Sequence, residues 1–204
     1  MESANFNPSG VGVRNGNYFG FPFSPEESEI VLISVPWDVT TSYKPGAHLG
    51  PAAIREASVQ LDFYDFDVAE AWKIKIATLP SDKEIDKLNK KLRPHAQRVI
   101  NHLEEGGSED DKCILEDIAA VNRGSEKLNQ KVYEVCLHWL QKGKKVGLVG
   151  GDHSVPFGYV KALSEMHPAF GILHIDAHAD LREAYEGFEH SHASIMSNLV
   201  QNKA

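Results

Sequence analysis

VGLVGGDHSVPFGYVKALSEMHPAFGILHIDAHAD, residues 146–180, decides the fold. Its first part, Val146 to Val149, is a short apolar run that predicts a buried strand. The run leads straight into Gly150-Gly151-Asp152-His153-Ser154. Ser154 is placed to cap a helix that carries Phe157, Val160 and Leu163. Phe170 to Ile175 reads as the next buried strand and ends in Asp176-Ala177-His178-Ala179-Asp180. Strands alternating with helices imply a parallel sheet covered on both faces. In such sheets ligands bind outside the carboxyl ends of the strands, where both polar clusters fall.

Toward the N-terminus the same pattern recurs. Ile30 to Val35 is an apolar, β-branched run stopped by Pro36, a strand again. A polar loop, Trp37 to Gly50, follows, and Pro51 suits the first turn of a helix with Ile54, Ala57 and Leu61 on one face. Lys73 to Leu79 alternates and predicts another strand, which makes four: 30–35, 73–79, 146–149 and 170–175. Residues 81–130 differ in character, with 20 charged positions in 50, and read as a charged helical excursion of the same domain. Within it, Pro94 starts a predicted helix with Ala96, Val99, Ile100 and Leu103 on one face, stopped by Gly106-Gly107. Ser108 with Asp111 resembles a capping box for the next helix. Val132, Val135, Cys136, Trp139 and Leu140 mark that helix, and Gly143 suits its end. Residues 1–28 hold four glycines and three prolines without periodicity and read as an arm or irregular cap. The expectation is therefore one α/β domain over 29–204, three-layered α/β/α with a mostly parallel sheet.

Composition narrows the function. Apolar residues make up 42% and charged residues 25% of the 204, as in ordinary globular proteins. A net charge of −8 argues against nucleic acid, whose phosphates need a basic face, and is compatible with a small cationic ligand. Cys113 and Cys136 lie 23 residues apart without a CxxC pair, which is no disulfide framework. No apolar run exceeds the four residues of Ile30 to Ile33, so no segment is expected to span a bilayer. Residues 1–10 carry no basic and apolar leader pattern. A cytoplasmic location with reduced thiols is the expectation.

The chemistry-bearing residues are few. If strand geometry persists, Asp176, His178 and Asp180 at i, i+2 and i+4 project to one side, so two carboxylates and an imidazole converge at a sheet edge. That donor set suits a hard or borderline divalent ion, manganese first, and the lack of nearby thiolates disfavours structural zinc. The simpler reading is a polar cap on a strand and turn. Gly150-Gly151 permits a tight exit from the preceding strand, which lets His153 add a nitrogen ligand. Two such clusters on consecutive parallel strands favour one shared binuclear site.

Those two motifs resemble the first two metal motifs of the ureohydrolases, the arginase and agmatinase family. Val35-Pro36-Trp37-Asp38, Ser42-Tyr43-Lys44-Pro45-Gly46-Ala47 and Gly50-Pro51-Ala52-Ala53-Ile54-Arg55 are similar to its N-terminal strand, loop and helix. Ser191-His192-Ala193-Ser194 resembles its substrate-side histidine segment, and Asp180-Leu181-Arg182 with Tyr185-Glu186-Gly187 looks more like agmatinases than arginases. The resemblance implies an arginase-like fold, homo-oligomers and two manganese ions. It implies His153 and Asp180 on one ion, His178 on the other and Asp176 bridging. It also implies a downstream D-x-D segment, absent here; Asp65 to Asp67 sits in an expected surface turn and is no substitute. The chain thus reads as the N-terminal portion of a longer domain, with its C-terminal part missing.

The implied reaction is hydrolysis of a guanidino C–N bond, agmatine to putrescine and urea, with formiminoglutamate and arginine as alternative substrates. Asp180 would orient the attacking hydroxide and His192 would shuttle the proton to the departing amine. His190 is read as a bystander and His174 as a packed neighbour. Glu186 and Glu189 would attract a cationic tail, while Arg182 would suit a carboxylate. Two other readings stay open: a zinc deacylase of a related α/β fold, and a non-catalytic module that keeps the fold and half of the ligands.

Overall fold

Parallel pairing of three strands organises the molecule, whose computed structural model describes residues 6–201. β1 (Ile30–Val35) lies between β2 (Ile76–Thr78) and β3 (Lys145–Gly150). Both pairings are parallel, and β1 matches β3 residue for residue from Ile30 opposite Lys145 to Val35 opposite Gly150. The two segments stay together past the strands. The Gly151 N–H donates to the Val35 carbonyl at 3.0 Å, and the Asp152 N–H to the Trp37 carbonyl at 2.8 Å. Shared register therefore delivers both strand exits to the same level of the sheet.

Alternation along β1 separates the two faces. Val31, Ile33 and Val35 are buried in a core with Val99, Ile100 and Val121 of helices α2 (Lys83–Glu104) and α3 (Leu115–Gln141). Helix α4 (Phe157–Met166) packs closely on α3, and a Cβ at Gly158 would stand 2.3 Å from the Asn129 carbonyl oxygen. On the opposite face, Ser34 meets the Tyr18 hydroxyl at 2.8 Å, and that hydroxyl donates to the Pro51 carbonyl in α1 (Gly50–Ser58) at 3.2 Å. A short α5 (Ile195–Val200) completes the order. This is the layered parallel α/β architecture expected. No helix among the described residues is long and apolar enough to cross a membrane. Cys113 is exposed, and burial in the core pushes the Cys136 thiol up to about 12.

Several local expectations are corrected. Phe170 to Ile175 forms no strand: no described residue pairs with it, and Leu173 and Ile175 are 86% and 87% exposed. Apolar composition favours a strand, yet a ladder requires a partner, and among the described residues β3 pairs with β1 alone, its outer edge taking no strand. Pro94 lies inside α2 rather than at its start. The helix begins eleven residues earlier, where the Asp82 carboxylate accepts the Glu84 N–H at 2.7 Å, and buried Ile85, Asn89 and Leu92 continue the stripe. Proline there leaves the Lys90 carbonyl without its i+4 donor, a loss that core burial of the flanking turns offsets.

Ser108 and Asp111 do exchange backbone and side-chain bonds, but α3 starts only at Leu115. Ser154 caps no helix, because its hydroxyl bonds the Asp152 carboxylate and Pro156 occupies the N-cap. β2 is shorter than the alternation suggested. In the arm, Tyr18, Phe21 and Phe23 are buried, so it contributes core rather than only a cover. The Asp65–Asp67 stretch is a surface turn in which the Asp65 carboxylate accepts two backbone N–H groups.

Candidate metal centre

Gly151 shows why the first motif has its sequence. A Cβ there would lie 1.7 Å from the Trp37 carbonyl oxygen, so only glycine lets the β1 and β3 exits touch. The contact leaves Asp152 buried and His153 half-buried at the end of β3.

From the second motif, Asp180 and Asp176 reach His153. Its Nδ1 is 2.6 Å from Asp180 Oδ2 and 3.3 Å from Asp176 Oδ2. His174 joins them, with Nε2 3.7 Å from Asp176 Oδ2 and its ring 5.1 Å from the His153 ring. One donor atom from each of His153, His174, Asp176 and Asp180 falls within a 4.8 Å group. Ligands bound at about 2.1 Å stand roughly 3 Å apart when cis and about 4.2 Å when trans, so this spread approximates one ion's shell. The His174 Nε2 is buried without a hydrogen-bond partner among the described residues, as a donor aimed at a ligand would be. The site accordingly fits a divalent ion by spacing and by donor chemistry.

His178 is not in that group. Its side chain is 83% exposed, with Nδ1 3.6 Å from Asp176 Oδ1. The cause is local. The His178 N–H donates to Asp176 Oδ1 at 2.8 Å, which closes a turn, and Asp180 takes a left-handed φ of 49°, so strand alternation has ended. That same N–H bond, with the nearby His153, His174 and His178, holds the Asp176 carboxyl below the usual carboxylate range. Spacing did contain the signal for His174, which is two residues before Asp176. Asp176 thus presents one oxygen to His153 and His174 and the other to His178.

Backbone bonds between distant segments set the rest. The Asp180 carbonyl accepts the Met196 and Ser197 N–H groups at 3.1 and 3.2 Å, capping α5, and the Arg182 N–H donates to the Ala193 carbonyl at 3.3 Å. His192 is thereby tied beside Asp180. An open hollow of about 500 Å³ is lined by His178, Asp180, Arg182, Tyr185 and His192, with Ala179, Leu181 and Ala193. Neither Glu186 nor Glu189 lines it. Glu189 is exposed, and its N–H donates to Asn122 Oδ1. Glu186 is half-buried toward Arg93, Glu104 and Glu109; burial first, and the two glutamates next, push its carboxyl up to about 7. His190 packs its ring on Phe157 at 4.8 Å.

Behind the centre stands a polar scaffold that spacing did not disclose. Asp38, at the β1 exit, accepts from the Gly46 N–H, from Asn89 Nδ2 and at 2.7 Å from the His48 ring. Burial would raise its carboxyl, but those donors outweigh it and hold it low. Arg93 donates to the carbonyls of Asp38, Val39 and Thr41. Burial pushes the Asp152 carboxyl up, against its bonds to Ser154 and the attraction of His192. Asn89 and Arg93, both from α2, are the residues a search for metal motifs overlooks.

A parallel sheet with helices on both faces, and imidazoles and carboxylates gathered at its carboxyl edge, places the chain among α/β proteins suited to hold a divalent cation. More narrowly, the chain belongs to the arginase family, whose sequence profile matches residues 28–204. An agmatinase of Bacillus anthracis is 30% identical over 169 residues, covering 83% of this chain and 46% of that protein. An N(1)-aminopropylagmatine ureohydrolase of Thermus thermophilus is 32% identical over 183 residues, covering 89% and 50%. Among solved structures, the agmatine ureohydrolase of Thermoplasma volcanium superposes with a TM-score of 0.60 at 22% identity, over 95% of this chain and 51% of that one. The proclavaminate amidino hydrolase of Streptomyces clavuligerus does so with 0.58 at 22%, over 96% and 55%. At that identity the two structures speak to the fold. The chain spans about half the length of the curated relatives it matches.

Proposed function

We propose that the protein hydrolyses the C–N bond of a guanidino compound, with agmatine to putrescine and urea as first choice and manganese as its ion. The observation that carries this is the convergence of His153, His174, Asp176 and Asp180 within 4.8 Å, beside a hollow that also holds His192. Imidazole and carboxylate donors without a thiolate favour manganese over structural zinc. When bound, such an ion makes hydroxide available near neutral pH.

The chain's own groups do the rest. Asp176, with an oxygen toward each side, would serve two ions, and His178 would serve the second. Asp180 would ligate and orient the attacking oxygen toward the guanidinium carbon. As the C–N bond breaks, the leaving nitrogen needs a proton, and His192, tied beside Asp180, is the donor. Addition of the oxygen and loss of the protonated amine give urea and the diamine. The names of the relatives also support an aminopropyl-extended agmatine as substrate. Arg182 in the hollow favours testing acids, arginine and formiminoglutamate, beside the amines.

Calorimetric titration of the purified protein with manganese, with urea release followed in parallel, tests the reading. Asp176→Asn is expected to abolish tight binding of every ion, because one carboxylate serves both sides. Equal stoichiometry in wild type and variant would remove Asp176 from the centre.

A further inference from the structure

We propose that Tyr185 is a positioning residue for His192, clamped between that imidazole and the Arg182 guanidinium; this rests on the reading of His192 as the proton donor. The Tyr185 and His192 rings meet edge to face, 5.7 Å between centroids at 87°. On the Tyr185 ring lies the Arg182 guanidinium, 4.7 Å from the centroid. All three residues line the hollow beside Asp180.

The backbone under Tyr185 is held in a costly form. Tyr185 and Phe188 exchange N–H to carbonyl bonds of 3.1 and 3.0 Å, and Phe188 is fully buried. Between them Glu186 and Gly187 take φ of 56° and 74°, the signs a type I′ turn requires. Glutamate seldom takes that conformation, and its retention here means the surroundings over-determine the turn. They do so from α3: Asn122 donates to the Gly187 carbonyl at 3.1 Å and accepts the Glu189 N–H at 3.1 Å, with Ile118 packed under Gly187. Tyr185 is therefore a fixed wall.

His192 needs such a wall. Its Nδ1 is buried with no hydrogen-bond partner among the described residues, so no bond at that nitrogen fixes the ring. A proton donor must keep one nitrogen on the leaving group, and rotation of an unheld imidazole wastes encounters. The edge-to-face contact restricts that rotation, and Arg182 restrains the tyrosine ring.

Tyr185→Leu and Tyr185→Phe in the full chain decide the matter. The readouts are the carbon-bound ring protons of His192 in NMR spectra, assigned with His192→Ala, and the kinetics of urea release. In wild type and Tyr185→Phe the His192 signals are expected to carry the ring-current displacement of a neighbouring aromatic, and Tyr185→Leu is expected to lose it. Turnover of Tyr185→Leu should fall roughly threefold to tenfold with KM and manganese stoichiometry unchanged, and Tyr185→Phe should restore it. His192 signals in Tyr185→Leu that match wild type would overturn the proposal, as would wild-type turnover in that variant. Wild-type protein that releases no urea from any guanidino substrate would defeat the functional reading alone, because the spectra still decide whether Tyr185 holds His192.

Discussion

Replacing Gly151 by alanine tests whether the touching strand exits hold the centre. The new methyl carbon would sit 1.7 Å from the Trp37 oxygen, 2.6 Å from its carbonyl carbon and 2.7 Å from its nitrogen. All three atoms are main chain, so no rotamer change relieves the clash. Restoring an ordinary contact means retreat of one exit by about 1.8 Å, given well positions near 3.5 Å. That movement breaks the bonds from Gly151 to Val35 and from Asp152 to Trp37, each worth about 1 kcal/mol net. Overpacking adds about 1–3 kcal/mol. The total, about 3–5 kcal/mol, is a large share of the roughly 5–15 kcal/mol that stabilises a domain. In urea unfolding the midpoint should drop by about 1.5–2.5 M for a slope near 2 kcal/mol per M. Because His153 is two residues on, manganese affinity should fall as well. A midpoint within about 0.5 M of wild type, with unchanged manganese affinity, would refute the reasoning.

Two further outcomes are expected. The carboxyl of Glu186 titrates at about 7 in the fold, so the fold binds its proton more tightly than the open chain; stability should decline as pH rises from about 4.5 through 7 and be flat above. Glu186→Gln should remove that slope and be more stable than wild type at pH 8 by about 1 kcal/mol, discounted for half exposure, and thermal melts at pH 5 and 8 that run parallel for both proteins would contradict it. His192→Ala should keep manganese stoichiometry while turnover drops by about 100-fold, the lower range for a general acid; unchanged turnover would make His192 a bystander.

What the sequence disclosed depended on whether the determining interaction was local. β1 has the bounds its composition implies, Ile30 to Val35, because an apolar run ended by proline decides them. Gly143, with φ of 72°, closes α3 as read, since a left-handed residue after a helix favours glycine. Pro94 misled because eleven earlier residues of α2 carry its stripe through Ile85 and Leu92. Phe170 to Ile175 misled because strand identity is a relation between two segments, and apolar composition supplies only one of them.

The same distinction governs the centre. Period-two spacing of positions 174, 176, 178 and 180 places donors on one side only while the backbone stays extended. The Asp176 turn and the left-handed Asp180 end that condition, which is why His174 and Asp180 meet His153 while His178 faces outward. What then fixes Asp180 is its carbonyl, bound to the first turn of α5 sixteen and seventeen residues later. A helix end needs acceptors for its free N–H groups, so the segment after His192 recruits the backbone at the Asp180 turn as its cap. Asp180 and His192 are thereby positioned by one set of bonds, and a displacement of α5 would move the two together.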